Sequence, residues 1–484
     1  MPTEKTDFNR DWEFSKSDAE TPPEFLHAGE AAAEAVILPH TWNADDMAPG
    51  VEYPYLGIGW YTKMFKAPAL DEGQRALIEF EAIAMTSRVW VNETYVGGKN
   101  DGYTAFEVDI TDALRDGKNR IVVRADNRYD MLAMAPAHID WNRYGGIHRP
   151  VWLRIKEAAH FAHRGIETRT PEVSDEQAVL DVTSHVAETR RMGGRLTVRH
   201  ALIDPDGAVI ARAHADIATT LARDHTARTS FNIEQPRLWS VRHPTLYTLC
   251  SELFDGERRL DGLETSVGFR YFEFDADRGF SLNGERMKLC GVNQHIFYPG
   301  LGSAVPERYY DEEMRLIKAM GCNFFRTAHY PRPPYFLDLC DRHGLLVMAE
   351  QPYWHGSVRT SNGEAAIANS RQTLQDLVRQ AGNHPSVILW NTVNEIAIAP
   401  LFLKGIHHLP PTDPRREAWS QKSTEWPYMR RACGVMVDTL KEADPTRPVS
   451  LIVGGAWDKN DQAGLPLVAD VIAYNGGACR LEDE

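Results

Sequence analysis

The feature that most constrains this chain is a change of rhythm near residue 280. Before it, apolar residues come in strand-length runs: RALIEF (75–80), SRVWVN (87–92), NRIVVRA (119–125) and PVWLRI (150–155). Turn-forming clusters such as DEGQ and RDGKN separate these runs, and no helical period persists, so the region reads as all-β. The same manner continues through AVLDVTSHV, GRLTVRHALI, the turn DPDG, AVIARA and LYTLCSELF. This predicts two sandwiches in succession, with the boundary in the polar stretch that follows PVWLRI.

Beyond residue 280 strands alternate with amphipathic helices. MKLCGVN (287–293), CNFFRT (322–327), LLVMAEQ (345–351), SVILWNTVNE (386–395), VSLIVG (449–454) and VIAYNG (471–476) have the apolar character of buried strands. Between them lie helical segments at 312–321, 335–344, 370–382 and near 425–443. Apolar strands alternating with helices imply a parallel sheet covered on its faces. Repeated βα units predict a (β/α) barrel, whose reactive groups sit at the C-terminal strand ends. The expected domains are therefore 1–158, 159–269 and 270–484.

Composition narrows the partners. A net charge of −15, with Arg and Lys scattered, argues against nucleic acid or an anionic membrane, since both are polyanions. No window approaches the ~18 apolar residues of a membrane span, and MPTEKTDFNRDWEF does not read as a secretory leader. The six cysteines show no C-x-x-C spacing, and several lie inside apolar runs, which predicts buried thiols in a reducing, cytoplasmic setting.

Several strand ends carry residues similar to glycoside hydrolase family two. HPSVILWNTVNEI resembles that family's acid/base signature, GFSLNGERMKLCGVNQH its barrel entry, and NFFRTAHYPRPPYFLDLCDRHGLLVMAE its second and third βα units. Upstream, GWYTKMF, VWVN, DWNRYGGIHRPVWL and QPRLWSVRHPTLYTL resemble its jelly-roll sugar-binding and immunoglobulin-like domains. The resemblance implies a jelly roll, an immunoglobulin-like β-sandwich and a (β/α)8 TIM barrel in that order, with about six barrel strands present.

It also implies retaining hydrolysis of a β-glycoside. One protonated carboxyl assists the leaving oxygen and one carboxylate attacks the anomeric carbon, the two being ~5–5.5 Å apart. By resemblance Glu395 is the acid/base, and Asn394 contacts a sugar hydroxyl. His329, His295, Asp140 and Trp354 are further substrate contacts. Arg326 is expected to keep the nucleophile ionised, with Tyr474 against it, while Glu350 and Asn293 support the site. Trp390, inside a strand, reads as core. EQPYWHG lacks the extra Glu found in magnesium-dependent members, so neither a metal nor another cofactor is expected.

The nucleophile of such a barrel ends strand seven, and only GACRLEDE follows the sixth strand. Glu482 and Glu484 sit on a polar tail without a strand to position them, so the nucleophile is expected beyond residue 484 and the chain alone is expected to be inactive. An open sheet has exposed edges, which a homo-oligomer or a further C-terminal segment would cover. The substrate expected from the resemblance is a terminal β-galactoside, with β-glucuronide and β-mannoside as rivals. From another class, the alternative is a carbohydrate-binding pseudoenzyme.

Overall fold

The computed structural model describes residues 5–17, 20, 33–46, 55–128, 130, 142–188, 194–220, 222, 224–352, 363–395, 414, 426–454 and 467–475. Among them no helix is long and apolar enough to cross a membrane.

Two antiparallel sheets form the N-terminal sandwich. One orders Lys5–Asp7, Val151–Lys156, Arg75–Phe80 and Phe106–Asp109; the other is six-stranded and centred on Ile58–Lys66 and Lys118–Asp126. Trp12, Tyr61, Ile78, Phe80, Val89 and Val123 fill the space between them. The second sandwich packs a three-stranded against a four-stranded sheet. Its strand Arg195–Ile203 shows why the layers form: Leu196, Val198 and Leu202 are buried while Arg195 and Arg199 are exposed, the two-residue alternation of a half-buried strand.

The third unit is a parallel sheet in chain order: β1 (Gly291–Asn293), β2 (Phe324–Arg326), β3 (Leu346–Glu350), β4 (Val387–Asn391), β5 (Val449–Gly454) and β6 (Val471–Asn475). The described helices are α1 (Glu307–Ala319), α2 (Pro334–His343), α3 (Gly363–Ala381) and α4 (Trp426–Ala443). Helix α1 buries Tyr310, Met314 and Ile317, an i, i+4, i+7 stripe. Helix α2 begins at a proline and stops at Gly344, whose φ of 64° suits the left-handed cap. A Cβ at Gly344 would lie 2.4 Å from the Val241 carbonyl oxygen, so the cap is also where the second sandwich touches the barrel.

Strand alternation divides the barrel into two apolar layers. Phe325, Val347, Ala349, Trp390, Val453, Ile472 and Tyr474 pack towards the helices. Phe324, Leu346, Met348, Ile388, Ile452 and Ala473 pack with Trp239, Phe280 and Leu282. Trp239 belongs to the second sandwich, in the connection between its strands Asp224–Glu234 and Tyr247–Asp255, and Phe280 and Leu282 to a small sheet just before β1, so together these side chains floor the barrel at its N-terminal end. Fully burying each large aliphatic side chain contributes about 1.5–3 kcal/mol.

Buried polar clamps join the three units. Arg270 donates to the carbonyls of Pro385 and Val387, and Trp239 Nε1 donates to that of Asp341 (2.9 Å). From the first sandwich, Ala84, Met85 and Tyr103 join the barrel's own outer core.

Candidate active site

On three strands the inward-facing row that ends in the apolar floor carries a polar residue at its next position. Phe324 leads to Arg326, Leu346 and Met348 to Glu350, and Ala473 to Asn475. A period of two thus places these groups together at the C-terminal end of the sheet.

Glu350 is the centre of the arrangement and is fully buried. Arg326 grips it with two donors, Nε to Oε2 at 2.7 Å and Nη2 to Oε1 at 3.2 Å. His329 Nδ1 lies 2.9 Å from Oε1 and 3.0 Å from Arg326 Nη2. Thr327 Oγ1 accepts the Glu350 backbone N–H. Burial alone would push the Glu350 carboxyl up, but Arg326 and His329 outweigh it and hold the group down at about 2. The sequence suggested that Arg326 would hold an attacking carboxylate. Its carboxylate partner among the described residues is Glu350, which lies two residues beyond Met348, the register partner of Arg326 on β3, and so on the same face.

Arg326 Nη2 also donates to Asn394 Oδ1 at 2.6 Å. Asn394 is buried, and this bond fixes its amide so that Nδ2 remains the donor. Glu395 follows with a φ of 49°, a left-handed backbone that few non-glycine residues adopt. Its backbone N–H donates to the Ile452 carbonyl, and its Oε1 accepts from Asn475 Nδ2 at 2.6 Å. Asn475 thus brings β6 to the site. Tyr474, expected beside the nucleophile, is half-buried and packs against the apolar layer under the helices.

His295 follows β1 and meets His329 edge-on, with ring centroids 4.9 Å apart. Burial, with His329 and Arg332 nearby, pushes the His295 imidazole down to about 4. Asn293 ends β1 beside Arg326 and is exposed. Trp390 is fully buried in the outer core and donates Nε1 to Asp444 Oδ2, as a core residue should. Asp140, Trp354, Glu482 and Glu484 lie outside the described residues.

Below these groups runs a polar layer the sequence reading missed. Gln351 Nε2 donates to the Thr392 carbonyl, and Ser450 Oγ donates to Asn391 Oδ1 at 2.9 Å. Asn391 Nδ2 in turn donates to the Val393 carbonyl, holding the turn that delivers Asn394 and Glu395. A set of possible metal ligands, Asp338, Asp341 and His384, lies at the opposite end of the barrel. There His384 Nδ1 and the Ser386 N–H satisfy the Asp341 carboxylate, a pairing that pins the start of β4.

The comparisons with known proteins agree along the whole length. The model of the family 2 glycosyl hydrolase sugar-binding domain matches residues 6–156, the central family 2 model matches 165–270, and the family 2 TIM barrel model matches 276–472. A putative β-glucuronidase of Formosa agariphila is 36% identical over 383 residues, which are 78% of this chain and 45% of that protein. A β-galactosidase of Bacteroides ovatus is 31% identical over 497 residues, covering 98% of this chain and 57% of the relative. The structure of Bacteroides uniformis β-glucuronidase 2, covalently bound to cyclophellitol-6-carboxylate aziridine, superposes with a TM-score of 0.87 at 27% identity. That superposition covers 98% of this chain and 55% of the other. The chain thus spans about half the length of the curated relatives it matches.

Proposed function

The chain belongs to glycoside hydrolase family 2, and on that premise we propose that it carries the sugar pocket and the acid/base carboxyl of a retaining β-glycoside hydrolase. The observation that carries this reading is the joining of Asn394 and Glu395 to Arg326, Glu350 and Asn475 at one end of the sheet.

Glu395 is the proton donor to the departing glycosidic oxygen, and in the second half-reaction its carboxylate takes a proton from water. The Asn475 amide donates to Oε1 and so orients the Glu395 carboxyl. The Asn394 amide, held by Arg326, offers N–H to a sugar hydroxyl. Glu350 is enclosed and bound on both oxygens, so its role is to neutralise and orient Arg326 and His329 rather than to attack. The attacking carboxylate of the double displacement is a separate group.

The substrate class we favour is a terminal β-galactoside. A β-glucuronide is the second reading, supported by the Formosa agariphila and Bacteroides uniformis relatives, both described as β-glucuronidases. Titration calorimetry with 1-deoxygalactonojirimycin and with its glucuronic-acid-configured counterpart tests the pocket. Release of nitrophenol from the matching aryl glycosides tests the chemistry. Saturable binding of one imino sugar that weakens at least tenfold in Glu395→Gln supports the proposal. Binding of neither compound, with no nitrophenol released, would remove it.

A further inference from the structure

We infer that Tyr330, held in place by Tyr103 of the N-terminal sandwich, is a positioning residue that locks His295 in its Nε2–H tautomer. The inference rests on the sugar-pocket reading above for its functional meaning and on the hydrogen-bond geometry of a buried, neutral ring for the tautomer.

Tyr330 lies in the loop after β2 and is almost wholly buried. Its hydroxyl oxygen accepts the Ile296 backbone N–H at 2.8 Å. The hydroxyl proton then needs an acceptor, because an enclosed O–H left without one is costly. His295 Nδ1, 3.4 Å away, is that acceptor. A neutral imidazole has one accepting and one donating nitrogen, so acceptance at Nδ1 puts the proton on Nε2. The low basicity of the buried His295 ring keeps it neutral.

The Tyr330 ring is not held by the barrel alone. Tyr103 stacks on it face to face, with centroids 4.2 Å apart and planes 3° from parallel. Buried Arg149 fastens both partners, donating Nη1 to the Tyr103 carbonyl at 2.5 Å and Nη2 to the Pro331 carbonyl at 2.6 Å. Gln380 adds a second tie, accepting the Ala105 N–H and donating to the Arg332 carbonyl. A loop of the first sandwich therefore sets the pose of a barrel tyrosine, which sets the proton position on a histidine at the mouth. His295 in turn abuts His329, whose Nδ1 lies against Glu350 and Arg326. A ring locked as an Nε2–H donor recognises a hydroxyl oxygen of the sugar as acceptor.

Long-range proton–nitrogen correlation spectra of the full chain carrying ¹⁵N-histidine read the tautomer, with His295→Asn identifying the resonances. The wild-type ring should show a single Nε2–H form. Tyr330→Phe keeps the stack but removes the O–H, so the two nitrogen shifts should converge towards the average of both tautomers. Tyr103→Phe should change nothing, and Tyr103→Leu should reproduce the convergence. An Nδ1–H wild-type ring, or unmoved shifts in Tyr330→Phe, overturns the proposal; unmoved shifts in Tyr103→Leu overturn the part assigned to the sandwich.

Calorimetry with 1-deoxygalactonojirimycin separates the two readings. Tyr330→Phe should bind it about fivefold more weakly, the effect of one neutral hydrogen bond. Unchanged affinity despite scrambled tautomers overturns the functional half. If the wild-type protein binds no imino sugar while Tyr330→Phe still shifts the resonances, the sugar-pocket reading fails and the positioning stands.

Discussion

The side-chain amide of Asn475, at the end of β6, donates to Oε1 of Glu395 at 2.6 Å. Glu395 follows β4, so the bond spans β5 and ties together groups two strands apart. It fixes the orientation of the carboxyl from the far side of the sheet.

Replacing that amide by a carboxylate should make the site pH-sensitive. In Asn475→Asp two carboxyls within hydrogen-bond distance must share a proton, and keeping both ionised costs about 1–3 kcal/mol. Thermal melts should show the variant near wild-type stability at pH 5 and clearly less stable at pH 8. Equal melting differences at both values would show that the two side chains do not meet.

Glu350→Gln keeps the shape but removes the charge that Arg326 and His329 surround. Breaking a buried pair from one side costs about 3–5 kcal/mol, because the other charge is left uncompensated. Urea denaturation should record that loss, and imino-sugar binding should fall with it as Arg326 releases Asn394. A loss below about 1 kcal/mol would mean that solvent reaches the pair.

Acid should act in two stages. His40, His200 and His295 are held down at about 4, and His148 at about 3, mainly by burial, against an ordinary value of 6.5. Below pH 6.5 the unfolded chain takes up protons that the folded chain refuses, so stability falls as pH falls. Glu350 and Asp444, both held at about 2 against ordinary values of 4.5 and 3.8, add a second loss below pH 4.5. Melting temperature measured from pH 8 to 3 should start to fall below 6.5, where the histidines act, and keep falling below 4.5, where the two carboxyls take over; a flat profile down to pH 4 would contradict the buried neutral histidines.

Gly344→Ala should be costly although it adds one methyl group. The left-handed backbone costs about 1–3 kcal/mol for a non-glycine residue. The new Cβ would also force the Val241 carbonyl away from its present 2.4 Å position. Urea denaturation of the variant should show a lower midpoint, whereas Gly207→Ala, with φ of 88° and open space around it, should show only the backbone part.

The apolar runs announced the strands because burial on both faces demands them, and LLVMAEQ and SVILWN lie where the structure has β3 and β4. Glu395, Asn394, Arg326, His329 and Glu350 were legible as polar residues closing apolar strands. Their pairing was not, since the strand register sets Arg326 opposite Met348 and its side chain reaches two residues further to Glu350, which no single segment encodes. Asn475 was within reach: in VIAYN the alternation sets Val471, Ala473 and Asn475 on one face and Ile472 and Tyr474 on the other. Tyr103 was beyond it, because its partner Tyr330 lies more than two hundred residues away in another domain.

The plug formed by Trp239, Phe280 and Leu282 seals the sheet on the side away from Glu395 with apolar side chains. Widening that seal would flood the apolar layer without touching a single polar group of the site, so damage there should be felt as lost stability before it is felt as altered chemistry.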